Sequence, residues 1–121
     1  MTELSGTCMC GASTFTATPT PGGLGAGACH CGMCRKWSGG MYLSVDCGSS
    51  VTFAEGAPVG SYKGSAWGER LFCKECGSSL LWQTQDGQNQ HVSINTCIPI
   101  SNWPGSSKAW IDTCWFWPSC V

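Results

Sequence analysis

The chain has 121 residues and a formal net charge of -1, with 11% charged residues, 17 glycines, 7 tryptophans and 11 cysteines. This length favours a single domain over residues 1–121, with a modest core that a bound metal would help to stabilise. The charge excludes the basic surface of a nonspecific nucleic-acid binder, and no apolar segment approaches the ~20 residues that cross a membrane.

The number and spacing of the cysteines bear on whether the protein works in a reducing or an oxidising compartment. The first residues lack the basic start and apolar segment of a secretory signal peptide. The cysteine count is odd, and the close spacings are typical of metal sites. We therefore expect a reducing, cytoplasmic environment, with a disulfide-stabilised extracellular domain as the alternative.

Short strands dominate the predicted secondary structure, because glycines and β-branched or aromatic residues outnumber the patterns of long helices. The predicted strands are 12–18, 41–45, 51–53, 69–72, 80–82 and 91–94. A proline- and glycine-rich surface loop is expected at 19–27, and one or two helical turns at 33–38, ended by Gly39-Gly40. Asp86-Gly87 predicts a hairpin turn between the last two strands.

The end of the chain is rich in aromatic residues, with four of them in the segment 110–121. This segment is compatible with a core strand, a lid or a surface that contacts another copy of the chain. A homo-oligomer formed through it is therefore left open.

Seven cysteines fall into three groups, which are Cys8 and Cys10, then Cys29, Cys31 and Cys34, and finally Cys73 and Cys76. Cys73-x-x-Cys76-Gly77 is typical of a zinc-knuckle turn, which needs a second pair of ligands. Cys8 and Cys10 share one face of an extended segment and can supply that pair. Pairing Cys29 and Cys31 with the knuckle is an alternative that would leave Cys8 and Cys10 unused.

The central group is expected to form a separate site. In an extended segment Cys29 and Cys31 point the same way and His30 the other, and a turn opened by Gly32 brings Cys34 beside them. Three protein ligands with a fourth position left for water or substrate is the arrangement of catalytic zinc. His30 could be a fourth ligand, but the alternation of side chains points it away from the sulfurs, so it is expected to pack or form a hydrogen bond near the metal.

The remaining charged, histidine and cysteine residues have weaker links to a site. Arg35 and Lys36 follow the third thiol, so they can offset the net negative charge of three thiolates with Zn²⁺ and bind an anionic ligand; solvated surface cations are the alternative. His91 is expected to be structural. Burial without a ligand role is expected for the remaining cysteines, Cys47, Cys97, Cys114 and Cys120.

Three motifs occur in order between positions 6 and about 94: Cys8-x-Cys10-Gly11, Cys29-His30-Cys31-x-x-Cys34-Arg35-Lys36 with Gly39 after it, and Phe72-Cys73-x-x-Cys76-Gly77-Ser78. Together they resemble the glutathione-dependent formaldehyde-activating enzyme family, which includes centromere protein V. The resemblance implies an Mss4-like fold, mainly β, with small antiparallel sheets around zinc and at most one or two helical turns. It also implies two zinc ions per chain.

The resemblance assigns the ligands and the chemistry. It implies a structural ion on Cys8, Cys10, Cys73 and Cys76, and a second, functional ion on Cys29, Cys31 and Cys34. The activity it implies is addition of a small thiol, glutathione, to formaldehyde, which is formally the reverse of a carbon–sulfur lyase. Arg35 or Lys36 would then hold a glutathione carboxylate.

The resemblance weakens after Ile94. The family usually carries an acidic residue and a histidine beyond the late strand, whereas residues 95–100 contain no acid and no histidine follows His91. A non-catalytic, zinc-stabilised binding module of the same fold is therefore the alternative function. A zinc-containing methionine sulfoxide reductase would need two C-x-x-C pairs, and the C-x-C spacing argues against it.

Overall fold

The computed structural model describes residues 3–21 and 26–96. The strands within these residues are β1 (Leu4–Thr7), β2 (Thr14–Ala17), β3 (Ala26–Cys29), β4 (Tyr42–Asp46), β5 (Thr52–Phe53), β6 (Val59–Tyr62), β7 (Gly68–Cys73), β8 (Ser79–Thr84) and β9 (Gln90–Ser93). Helix α1 (Gly32–Ser38) follows β3, and a 3₁₀ turn (Ile94–Thr96) follows β9. The predictions for Cys97, Cys114, Cys120 and the aromatic segment 110–121 lie outside the described residues.

Two antiparallel sheets form this part of the chain. The smaller has the order β1-β2-β5, and the larger has the order β3-β4-β9-β8-β7-β6. One hydrophobic cluster joins them, since Phe15 of the small sheet packs with Val45, Leu81 and Val92 of the large sheet. The predicted fold class, small antiparallel sheets with one short helix, is confirmed.

No helix in the two described ranges is long and apolar enough to cross a membrane.

Local signals explain the elements that were predicted correctly. Helix α1 ends where Gly39 adopts the left-handed conformation, with φ 77°, and its N–H donates to the carbonyl of Arg35. The hairpin between β8 and β9 contains Gly87 with φ 74°, whose N–H donates to the carbonyl of Thr84 at 2.8 Å. Cys47 is buried in the core, as predicted.

Strands β1, β3 and β6 were not predicted. The expected loop at 19–27 is wrong at its end, because Ala26 and Gly27 pair with β4 as the start of β3. Small residues carry little strand signal of their own. In β6 the glycine is structurally required, since a Cβ on Gly60 would lie 2.8 Å from Cζ of Phe72 on the neighbouring strand.

Candidate metal centres and adjoining cleft

The first cysteine cluster joins the two sheets. Cys8 and Cys10 lie in the connection between β1 and β2, Cys73 ends β7, and Cys76 lies in the turn before β8. The four sulfur atoms all lie within 4.8 Å of one another. The structure therefore brings together the four thiols predicted to form a closed set.

The spacing of these sulfurs fits a tetrahedral ion. The Sγ atoms of Cys8 and Cys10 are 3.5 Å apart, and those of Cys10 and Cys73 are 3.9 Å apart. A tetrahedron with zinc–sulfur bonds of about 2.3 Å has edges of ~3.8 Å. The four sulfurs are therefore close enough together to hold one metal ion.

Hydrogen bonds prepare several of these thiols for a metal. Donors from the Ser78 hydroxyl and backbone lower the pKa of Cys76 to about 5. Burial acts to raise the pKa of Cys8, but the Ser13 N–H and neighbouring thiols outweigh it and leave that pKa below its ordinary value. The N–H of Ala12 acts to lower the pKa of Cys10. The neighbouring Cys8 sulfur acts in the opposite direction, and the pKa of Cys10 is raised to about 12. A bound divalent cation would offset the repulsion between neighbouring thiolates and so favour the deprotonated form of all four.

The second cluster is built where β3 meets α1. Cys29 ends β3, Cys31 is the N-cap of α1, and Cys34 lies in the first turn, with all three sulfurs within 4.8 Å of one another. The N–H of Cys34 donates to the Cys31 sulfur at 3.3 Å. This donor and the neighbouring thiols lower the pKa of Cys31 to about 7.

The structure also decides between the alternatives left open by the spacing. Pairing of Cys29 and Cys31 with the knuckle thiols is not formed, because Cys73 and Cys76 cluster with Cys8 and Cys10. All seven clustered cysteines are free thiols, so the disulfide alternative has no support among them. Two cysteine clusters, one of four and one of three, could each hold a metal ion.

The two clusters differ in what surrounds them. The three-cysteine cluster lines a cleft of about 420 Å³, whereas none of the four other thiols lines it. Trp82 packs across Gly68, where a Cβ would lie 2.8 Å from its Cζ2 atom, and Trp67 meets Trp82 edge to face at 5.3 Å. These rings give the cleft a largely apolar wall beside the three sulfurs.

Arg70 is the buried cation of this cleft. It lies on β7, is 7% exposed and donates from Nη2 to the Cys34 sulfur at 3.4 Å. Its guanidinium lies 5.6 Å from the ring centroid of Trp37 and 5.8 Å from that of Tyr42. Burial raises the pKa of Cys34 to about 11, although Arg70 acts in the opposite direction.

Sequence reasoning missed Arg70. The sequence showed only an arginine inside a predicted strand, which does not by itself indicate a site residue. The pairing of the strands and the position of α1 bring this arginine to the thiols. The connection is tertiary, since 36 residues separate Arg70 from Cys34. No local spacing reveals it.

The other predicted site residues lie in different places. Arg35 and Lys36 are exposed on α1 and are not among the cleft-lining residues. His30 is half-buried between Cys29 and Cys31. The ring of His91, which was expected to be structural, lies 5.6 Å from that of Trp82, and His91 also lines the cleft.

Comparison with known proteins gives concordant results. Residues 3–112 match the family model described as glutathione-dependent formaldehyde-activating enzyme. An uncharacterized lyase of Schizosaccharomyces pombe is 33% identical over 91 residues, which cover 75% of this chain and 65% of the yeast protein. The match thus spans slightly less than two thirds of that relative.

A solved structure shares the fold. The crystal structure of a Rhodobacter sphaeroides protein matches with a TM-score of 0.64 at 23% identity, covering 76% of this chain and 85% of that one. At this level of identity the likeness concerns the fold alone.

Proposed function

The chain belongs to the glutathione-dependent formaldehyde-activating enzyme family, and from this premise we propose that it is a zinc-dependent enzyme acting on a small thiol adduct. The proposed reaction joins glutathione and formaldehyde to S-hydroxymethylglutathione, formally the reverse of a carbon–sulfur lyase. One observation carries the proposal: three thiols converge on the wall of a cleft, while four others form a separate, closed set.

We propose two zinc ions, with different roles. Cys8, Cys10, Cys73 and Cys76 would hold a structural ion, and the sulfur spacing given above supports this. Cys29, Cys31 and Cys34 would hold a second ion that retains a position for substrate. Zinc bound there would supply Lewis acidity, which lowers the pKa of a thiol and polarises a carbonyl.

The protein side chains would prepare the substrates. The aromatic side chains of Tyr42, Trp67 and Trp82 would give the bound substrates an apolar surface to pack against. Three thiolates with a divalent cation carry a net charge of -1, and the adjacent Arg70 guanidinium offsets it. Arg70 would therefore reduce the electrostatic repulsion between the metal-bound cysteine thiolates and an incoming thiolate substrate.

Proton balance requires one transfer. The new carbon–sulfur bond forms as the carbonyl π bond breaks, and the thiol proton ends on the oxygen of the hydroxymethyl group. Among the cleft-lining residues in the described chain, His91 carries the imidazole that can accept this proton and return it. We assign it this role as part of the proposal.

Exchange measurements test the proposed activity. Formaldehyde and glutathione also react without a protein, so ¹³C NMR exchange rates are compared with and without the zinc-loaded chain. We expect acceleration above the background rate and loss of that acceleration in Cys31→Ser, which removes a ligand of the second ion. A rate equal to background together with measurable glutathione binding would contradict the enzyme and favour the non-catalytic binding module.

A further inference from the structure

Arg70 carries a buried hydrogen-bond donor without a partner. The side chain is 7% exposed, and its Nη1 has no hydrogen-bond partner among the described residues. An arginine stays charged at any physiological pH. A buried donor that lacks an acceptor is costly and rare, so the retention of this one needs a reason.

Its surroundings hold the guanidinium in place. Nη2 is engaged by the Cys34 sulfur, while the rings of Trp37 and Tyr42 lie within 6 Å of the guanidinium carbon. Tyr42 is itself fixed, since its hydroxyl lies 2.7 Å from Oγ of Ser93. The free nitrogen therefore belongs to a pre-organised group, which loses little entropy when it binds a ligand.

The nearby acid is engaged elsewhere. Glu69 also lines the cleft, but its Oε1 accepts a hydrogen bond from Nε2 of Gln83 at 2.6 Å. Within the described ranges, the hydrogen bonds of Arg70 thus leave the buried Nη1 without an acceptor. A ligand that enters the cleft beside the three thiols would bring the missing acceptor.

We propose that Arg70 is the specificity-determining residue of this cleft and binds a carboxylate of the incoming thiol. Guanidinium and carboxylate form the short, charge-assisted hydrogen bonds for which arginine is suited. The cleft then prefers thiols that carry a carboxylate over neutral thiols of the same size. This inference rests on the proposed function, because the thiol is taken to bind at Cys29, Cys31 and Cys34.

A thiol with a free carboxylate and its uncharged methyl ester test this preference. Cobalt-substituted protein is titrated with 3-mercaptopropionate and with its methyl ester, and the sulfur-to-cobalt absorption gives each dissociation constant. We expect the wild-type chain to bind the acid about ten- to hundredfold more tightly, the range for a hydrogen bond to a charged group. Comparing the ratio of the two constants between variants cancels intrinsic differences between the thiols.

Substitutions test whether Arg70 is the residue that causes the preference for the acid over the ester. In Arg70→Gln the acid-to-ester preference should fall to near unity. Lys63→Gln, which removes an exposed charge next in sequence to the cleft-lining Gly64, should retain it. If Arg70→Gln does not fold, Arg70→Lys serves instead, because one ammonium cannot reproduce the planar fork that serves both Cys34 and a carboxylate. The wild-type ratio is measurable in either case.

The outcomes separate this inference from the function on which it rests. Equal affinity for acid and ester in the wild-type chain, or an unchanged preference in Arg70→Gln, would overturn the role of Arg70 alone. Absence of any spectral change with either thiol would overturn the proposed function together with this inference.

Discussion

Individual cysteines of the two clusters are embedded differently. Cys73 is fully buried in the cluster that joins both sheets, whereas Cys31 is exposed at the start of a short helix. Loss of a structural metal belongs to the small class of changes that remove most of the stability of a domain. Loss of the second metal should leave the core intact.

Two serine substitutions test this difference. Cys31→Ser should lose one zinc ion and unfold within about 1 kcal/mol of wild type, since its neighbours remain packed. Cys73→Ser should lose more than about 4 kcal/mol or fail to fold. Metal analysis combined with thermal unfolding measures both effects, and equal destabilisation by the two substitutions would contradict the assignment of roles.

Arg35 and Lys36 remain predictions as carboxylate ligands, although they follow Cys34 directly in sequence. Both are exposed and stand outside the cleft lining, so solvent screens their charges. We expect a joint replacement by alanine to weaken glutathione binding less than threefold, by isothermal titration calorimetry. A loss of tenfold or more would support Arg35 and Lys36 as direct contacts of the carboxylate.

The elements that the sequence predicts are those with a local cause. Helix α1 is short and ends at a glycine pair, and the β8–β9 hairpin contains an Asp-Gly turn. Strands β3 and β6 lack such a cause, because β3 consists of small residues and β6 has Gly60 and Ser61 at its centre, so the strand state of both depends on pairing. Arg70 reaches the thiols only through that pairing, which is why the cysteine site was predictable and its buried cation was not.

The end of α1 should influence the second cluster. Gly39 has φ 77°, a conformation that costs an L-residue roughly 1–2 kcal/mol, while no positive φ occurs at Gly40. Gly39→Ala should therefore destabilise the helix and weaken metal binding at the cluster that contains Cys34. Denaturant unfolding and metal titration should show no comparable effect for Gly40→Ala, where a Cβ meets nothing within 4 Å.

Across the whole molecule, the closed cluster joins the sheets and the other cluster lies beside a cleft. Each cluster includes two exposed cysteines, but Cys8 and Cys73 of the four-thiol cluster are buried in the core, so we expect loss of a metal held there to be coupled to opening of the protein. A metal held by the three thiols in the cleft would need no such opening. We therefore propose that stability and ligand binding depend on separate metal centres in this one domain. This division is the central claim of the account.

Graded treatment with a chelator should reveal the division. We expect a first zinc ion to leave with little change in far-ultraviolet circular dichroism, and a second to leave together with cooperative unfolding. Zinc restored to the partly stripped chain should recover thiol binding. Simultaneous loss of both ions with the folded structure would argue against separate roles.

Native mass spectrometry of the intact chain titrated with glutathione tests the central claim most directly. The account predicts a species with two zinc ions that binds glutathione, and a species with one zinc ion that remains folded and does not. A chain with a single ion, a mass that indicates disulfides among the seven clustered cysteines, or equal glutathione binding by both species would contradict it.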